Sequence, residues 1–152
     1  MKGTILVTGG TGYIGSHTTV ELILAGYKVV VVDNLSNSRR EVLDGVEAIT
    51  GKRPEFHAID CCDQGALRQV FREHPIDAVI HFAASKAVGE SVQKPLLYYR
   101  NNILSLITLL ECMQEFATKA LVFSSSCTVY GQPDVLPVSE EAPILPATSP
   151  YG

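Results

Sequence analysis

The stretch VTGGTGYIG, Val7 to Gly15, decides how the rest of the chain is read. A short apolar run rich in β-branched residues, from Thr4, leads into it. Behind it come Ile14, Val20, Leu22, Ile23 and Leu24 at helical spacing, with Gly26 as a stop. A buried strand therefore enters the turn and an amphipathic helix leaves it. Gly9, Gly12 and Gly15 fall three residues apart on that junction. In such a turn the first glycine permits the tight reversal, the second lets backbone approach a pyrophosphate, and the third lets helix and strand pack closely. The free N–H groups and positive dipole of the helix start favour the phosphates. A loop of the Gly-Lys-Ser/Thr kind is excluded, because no such tripeptide follows.

Working outward, KVVVVD (Lys28–Asp33) reads as a second strand, apolar on both faces as in a parallel sheet. Residues 38–51 read as a helix ended by Gly51, Glu55–Asp60 as a strand, and 64–74 as a helix with Asp63 as N-cap and Pro75 beyond its end. Asp77–Ala83 is a fourth strand, a long helix runs from near Pro95 to Ala117, and Lys119–Ser126 is a fifth strand. Five strands alternating with four helices imply an α/β fold, a doubly wound parallel sheet with right-handed crossovers. Five of the eight prolines fall after residue 131, so 132–152 reads as a Pro-rich loop lying over something rather than as core. Ser149 and Pro150 carry the signature of a helix start, N-cap followed by proline at the first helical position.

Asp33 ends the second strand 18 residues after Gly15. A carboxylate there accepts from an adenosine ribose and repels a 2′-phosphate, which favours NAD over NADP; the other reading is an aspartate that caps its own loop. Arg39 and Arg40 are read as a solvated helix start. His81, on the buried fourth strand, is read as a core histidine with a satisfied ring.

The 152 residues suffice for one domain with a real core, 46% hydrophobic and 18% charged. A net charge of -4 without a basic stripe argues against a nucleic-acid partner. No apolar run reaches the length of a membrane span or a signal peptide. The four cysteines, Cys61, Cys62, Cys112 and Cys127, show neither a C-x-x-C pair nor Cys/His ligand spacing, so no metal is expected and reduced thiols in a cytoplasmic protein are.

TGGTGYIG, DNLSNS, HFAASKAVGESVQKPLLYYRNN and SSSCTVYG followed by SPYG together resemble the extended short-chain dehydrogenase/reductase family. The central stretch is most similar to its UDP-hexose 4-epimerase branch. The resemblance covers essentially the whole chain. It implies a Rossmann-type NAD-binding domain over 1–152, with the remaining strands and a C-terminal lobe for the UDP-sugar substrate lying outside this sequence. It implies inversion at C4 of a UDP-hexose, UDP-galactose to UDP-glucose, through a transient 4-keto sugar. Tyr151 takes the 4-hydroxyl proton, NAD takes the C4 hydride and returns it to the other face, and Ser126 or Thr128 helps by hydrogen bonding. It further implies cofactor contacts from Tyr13 and Ile14, from Asp33, Asn34, Leu35, Ser36, Asn37 and Ser38, and from Asp60 and Cys61. Phe82, Ala83, Ala84, Ser85, Lys86, Asn101 and Ser124 complete that set. Ala84 and Cys127 depart from the family pattern, which often has glycine and alanine at those places.

In this family a lysine follows the tyrosine by four residues, on the same helical face. Its charge favours the phenolate, since a free tyrosine has a pKa near ~10. That position would be 155, so the expectation is that these residues alone bind cofactor but do not turn over. The family also implies a homodimer paired through the long helix. A nucleotide-sugar dehydratase and a non-catalytic NAD-binding module are the alternatives. Dehydratases carry an Asp-Glu pair beside the hydroxyls, where this chain has SCTVYG.

Overall fold

Strand residues one apart point to opposite faces of a sheet, and here both faces are apolar. Leu6, Val30, Val32 and Val79 pack on one side with Leu67, Val70, Phe71, Leu109 and Met113. Ile5, Val7, Val29 and Val31 pack on the other with Ile23 and Val46. The computed structural model that gives these contacts describes residues 2–152. Its strands are β1 (Thr4–Thr8), β2 (Lys28–Asp33), β3 (Glu55–Ala58), β4 (Ala78–His81) and β5 (Ala120–Phe123), all parallel, in the order β3-β2-β1-β4-β5. Helices α1 (Tyr13–Leu24) and α2 (Val42–Thr50) cover one face. Helices α3 (Gln64–Glu73) and α6 (Leu104–Glu115) cover the other, so the doubly wound α/β reading holds.

Several local readings hold for the reasons given. Asp63 Oδ1 accepts the Ala66 amide at 3.0 Å, capping α3. Gly51 ends α2 in a left-handed conformation, φ 69°. Gly152 N–H points to Ser149 O at 3.1 Å and to Ser149 Oγ at 3.4 Å, the bonds of an N-capped turn.

Other readings change. Helix α2 begins at Val42 rather than Ser38, because the Ser38 hydroxyl is committed to Thr11 and Asp33. The expected long helix is present but is not α-helical throughout. It consists of α5 (Pro95–Tyr98), a π-helical turn (Tyr99–Ile103) and α6. A short helix unforeseen in the sequence, α4 (Val88–Gln93), precedes it. Strands β4 and β5 stop at His81 and Phe123, so Phe82–Lys86 and Ser124–Ser126 are loops beyond the ladder. Strand β5 is an exposed edge: Val122 is 60% and Phe123 52% accessible.

Candidate active site

Thr8 pairs in register with Val32 on one side and His81 on the other, and His81 with Phe123. The carboxyl ends of the strands therefore share one edge. Chain connections run from β1 outward to β2 in one direction and return to β4 on the other side, which opens a crevice above β1 and β4. Three groups of residues meet there.

The first is the glycine turn. Gly9 has φ 68°, and a Cβ on it would lie 2.8 Å from Ala83 N. On Gly15 a Cβ would lie 2.2 Å from Gly9 O, so the start of α1 sits directly on the turn. Gly10 is equally constrained, its Cβ direction meeting Val31 Cγ1 at 2.6 Å, although the three-residue spacing did not single it out. Gly12 differs: Gly9 O at 3.2 Å is all a Cβ there would touch within 4 Å. It is the N-cap of α1 and supplies no capping side chain. Uncapped N–H groups beside open space suit an anionic group. Tyr13 and Ile14 stand exposed there, with Tyr13 edge-on to His17.

The second group is the β2 end. Asp33 Oδ1 accepts Leu35 N–H at 2.9 Å and the Ser38 hydroxyl at 3.0 Å, while Oδ2 accepts Thr11 N–H at 3.2 Å. Asp33 thus caps its loop, and Leu35 is held at φ 59°. A carboxylate has about four lone-pair positions, so one on Oδ2 is left for a further donor. Asn34 donates to Asp60 Oδ2 at 3.1 Å. Burial raises the Asp60 carboxyl, but the Cys62 amide and Asn34 outweigh it and hold it below its ordinary range. Ser36 and Asn37 are exposed beside it. The Cys61 thiol is buried in the core and pushed up to about 12 by burial, so only its main chain can face the crevice. Arg39 and Arg40 are exposed just before α2, as expected of a solvated start, and the Arg40 guanidinium lies 5.4 Å from the Phe56 ring centre.

The third group follows β4 and β5. His81 is 3% exposed, its Nδ1 hydrogen-bonded to Thr8 Oγ1 at 2.7 Å, and burial lowers it to about 4: a core histidine. Phe82 N–H donates to Thr8 O at 3.0 Å. Asn102 grips Ser85 at both backbone groups, Oδ1 accepting its N–H and Nδ2 donating to its O, each at 2.8 Å. Asn101 Nδ2 donates to Ser85 Oγ at 3.0 Å. Both asparagines sit on the π turn, and both bond the same residue, Ser85. Ala84 and Lys86 are exposed on the same loop. Ser124 is exposed, its N–H bonded to His81 O at 3.1 Å. Thr128 Oγ1 donates to Ser126 Oγ at 2.9 Å, so these two hydroxyls form one unit. Beside them a Cβ on Gly152 would lie 3.3 Å from Thr128 Cβ.

Tyr151 is positioned by residues the sequence reading did not name. Its N–H donates to Ser91 Oγ at 3.3 Å, across 60 residues, and its ring meets Tyr98 edge-on at 6.4 Å. Ser91 and Tyr98 are buried. The Tyr98 hydroxyl accepts Ala87 N–H and donates to Glu90 Oε2, both at 3.0 Å. An open cavity of about 580 Å³ beside this contact is lined by Tyr98, Tyr99, Asn102, Ile103, Pro150 and Tyr151.

Sheet order, switch-point crevice and glycine turn define a Rossmann-type domain. The family described as GDP-mannose 4,6 dehydratase matches residues 6–152, and the chain belongs to that family. Within it the chain is similar to UDP-glucose 4-epimerases. It is 55% identical to that of Schizosaccharomyces pombe over 99% of this chain and 43% of the relative, and 56% identical to that of Bacillus subtilis over 97% and 43%. The Bifidobacterium longum UDP-glucose 4-epimerase, solved in complex with NAD+ and UDP, superposes with a TM-score of 0.94 at 50% identity, over 97% of this chain and 44% of that one. This chain therefore spans less than half the length of the relatives it matches. No helix among the described residues is long and apolar enough to cross a membrane.

Proposed function

We propose that these residues form the NAD-binding domain of a UDP-hexose 4-epimerase, which interconverts UDP-galactose and UDP-glucose with Tyr151 as general base. The observation that carries the reading is the cradle at the switch point: backbone too close for any side chain at Gly9 and Gly15, a single close neighbour, Gly9 O, at Gly12, and an uncapped helix start above it. The kinship with epimerases supports it, one of them solved with NAD+ and UDP.

Bound there, NAD supplies a two-electron acceptor and donor at the sugar carbon. The chain's own residues do the rest. The first turn of α1, with Tyr13 and Ile14, faces the pyrophosphate. Asp33 uses its spare lone pair on the adenosine ribose, and its charge disfavours a 2′-phosphate. Asn34, Leu35, Ser36, Asn37, Ser38, Asp60 and the Cys61 main chain border the adenosine. Phe82–Lys86, held by Asn101 and Asn102, and Ser124 border the nicotinamide half. Tyr151 takes the proton of the sugar 4-hydroxyl, and the Ser126–Thr128 pair hydrogen-bonds that oxygen. Ser91 and Tyr98 hold Tyr151 in place. Residues 132–152 act as a loop over the site.

Cys127 and Val129 flank Thr128, so no carboxylate stands where a dehydratase needs its acid/base pair. The exposed stripe Leu96, Ile103, Ile107 and Leu110 along α5 and α6 suits a homodimer. The four free thiols suit the reducing cytoplasm.

The test is conversion of UDP-galactose to UDP-glucose by the complete gene product. Binding of NAD without conversion would favour the non-catalytic module instead. In a thermal-shift titration NAD should raise Tm at concentrations where NADP does not; equal shifts would count against the role given to Asp33.

A further inference from the structure

At the sheet edge away from the crevice, His57 and His74 bring their Nε2 atoms to 2.9 Å. Strand alternation explains the meeting. Phe56 packs on the α1–α2 face, so His57 turns to the α3 face, where His74 ends α3 as its C-cap residue. The preceding residue, Glu73, is half-exposed and presents Oε2 4.0 Å from His57 Nδ1, while Gln69 donates to its other oxygen at 2.9 Å. The carboxylate is thus held beside the His57 ring on its Nδ1 side, and has to swing toward Nε2 to share an ion with His74. One ligand atom from each of the three residues lies within 4.8 Å of the others.

We infer that His57, His74 and Glu73 form a binding site for a divalent transition metal such as zinc. Two imidazoles and a carboxylate suit zinc, copper or nickel and do not suit calcium or magnesium. Tetrahedral bonds of about 2.0–2.1 Å place two ligating nitrogens about 3.3 Å apart. The two nitrogens need to separate by a few tenths of an ångström and the rings, now nearly head to head with centres 5.1 Å apart, to turn so that both lone pairs meet at the ion. Both histidines are partly accessible, so solvent can complete the shell. Lys28 and Glu55 flank His74 with opposed charges, so neither sign dominates the approach. A bound ion would tie the edge strand β3 to the end of α3.

The test titrates zinc into chelator-stripped protein against a chromophoric competitor. Accessible Cys62 and Cys127 are alkylated first, to remove thiol binding. One equivalent should bind and raise Tm by about 3–5 °C at tenfold saturation, reversibly with EDTA. His57→Gln and His74→Gln should each weaken binding by about tenfold or more, and Glu73→Gln, half-exposed and safe for folding, by several-fold. Circular dichroism checks that each variant is folded. Absence of zinc binding in the unsubstituted chain, or unchanged affinity in any of the three variants, overturns the site.

Discussion

The two ends of the crevice are built by different physics. From Thr4 to Asp33 the turn is shaped by hard contact: buried strands on both sides and glycines whose Cβ positions are occupied by backbone or by Val31. From Ala120 to Gly152 the chain is mostly exposed, and the groups assigned to the reaction are held by a few hydrogen bonds, Thr128 to Ser126 through its amide and its hydroxyl and Tyr151 to Ser91, with Tyr98 edge-on to the Tyr151 ring. Packing of the first kind tolerates no added methyl group. Bonds of the second kind each contribute about 1 kcal/mol. Changes at the gripping end should therefore damage folding and cofactor binding together, while changes at the reacting end should damage turnover alone.

The sharpest break between the two would come from Gly15→Ala. With its new Cβ 2.2 Å from Gly9 O, urea unfolding should register a loss of about 3 kcal/mol or more, and NAD binding should vanish. Gly45→Ala, on α2 with nothing within 4 Å, serves as the control and should gain about 0.5–1 kcal/mol.

Next in size, Tyr151→Phe should lower kcat in the complete protein by about 10²–10⁴-fold, the usual worth of a general base, with NAD affinity unchanged by calorimetry. A parallel loss of NAD binding would erase the distinction between the ends.

His81 sharpens the contrast through pH. Burial lowers its folded pKa to about 4 from the ordinary 6.5. The unfolded chain therefore takes up the proton first as pH falls. Its contribution is complete above pH 6.5 and is lost toward pH 4, by about 3 kcal/mol. Urea midpoints across that window should fall in the parent protein and fall less in His81→Gln.

The smallest effect is Ser91→Ala. It should cost about 1 kcal/mol in stability and lower kcat severalfold, leaving NAD affinity intact. A change in NAD affinity rather than kcat would place Ser91 with the gripping end.

What could be read from the sequence divides along the same line. The glycine turn, the strand–helix alternation, the Asp63 cap, the Gly51 stop and the buried His81 are local, set by residues within one turn or one strand. The short α4 was missed because six residues carry no usable periodicity; it is held from outside by Tyr98 bonded to Glu90 and Ala87. The π turn was missed for a similar reason, since its geometry answers to Ser85, sixteen and seventeen residues from the two asparagines. Gly10 escaped because its constraint is a valine on β2. His57 and His74 meet only once β3 and α3 are docked, so their sequence spacing carried no signal.

The most direct test of the central claim is a crystal structure of the complete protein with NAD and a UDP-hexose. The account predicts the pyrophosphate on Gly12 and the first turn of α1, the adenosine ribose on Asp33, and the Tyr151 phenol within ~2.6–3.2 Å of the sugar 4-hydroxyl. A dinucleotide bound elsewhere, or a Tyr151 phenol turned away from the sugar, would contradict it.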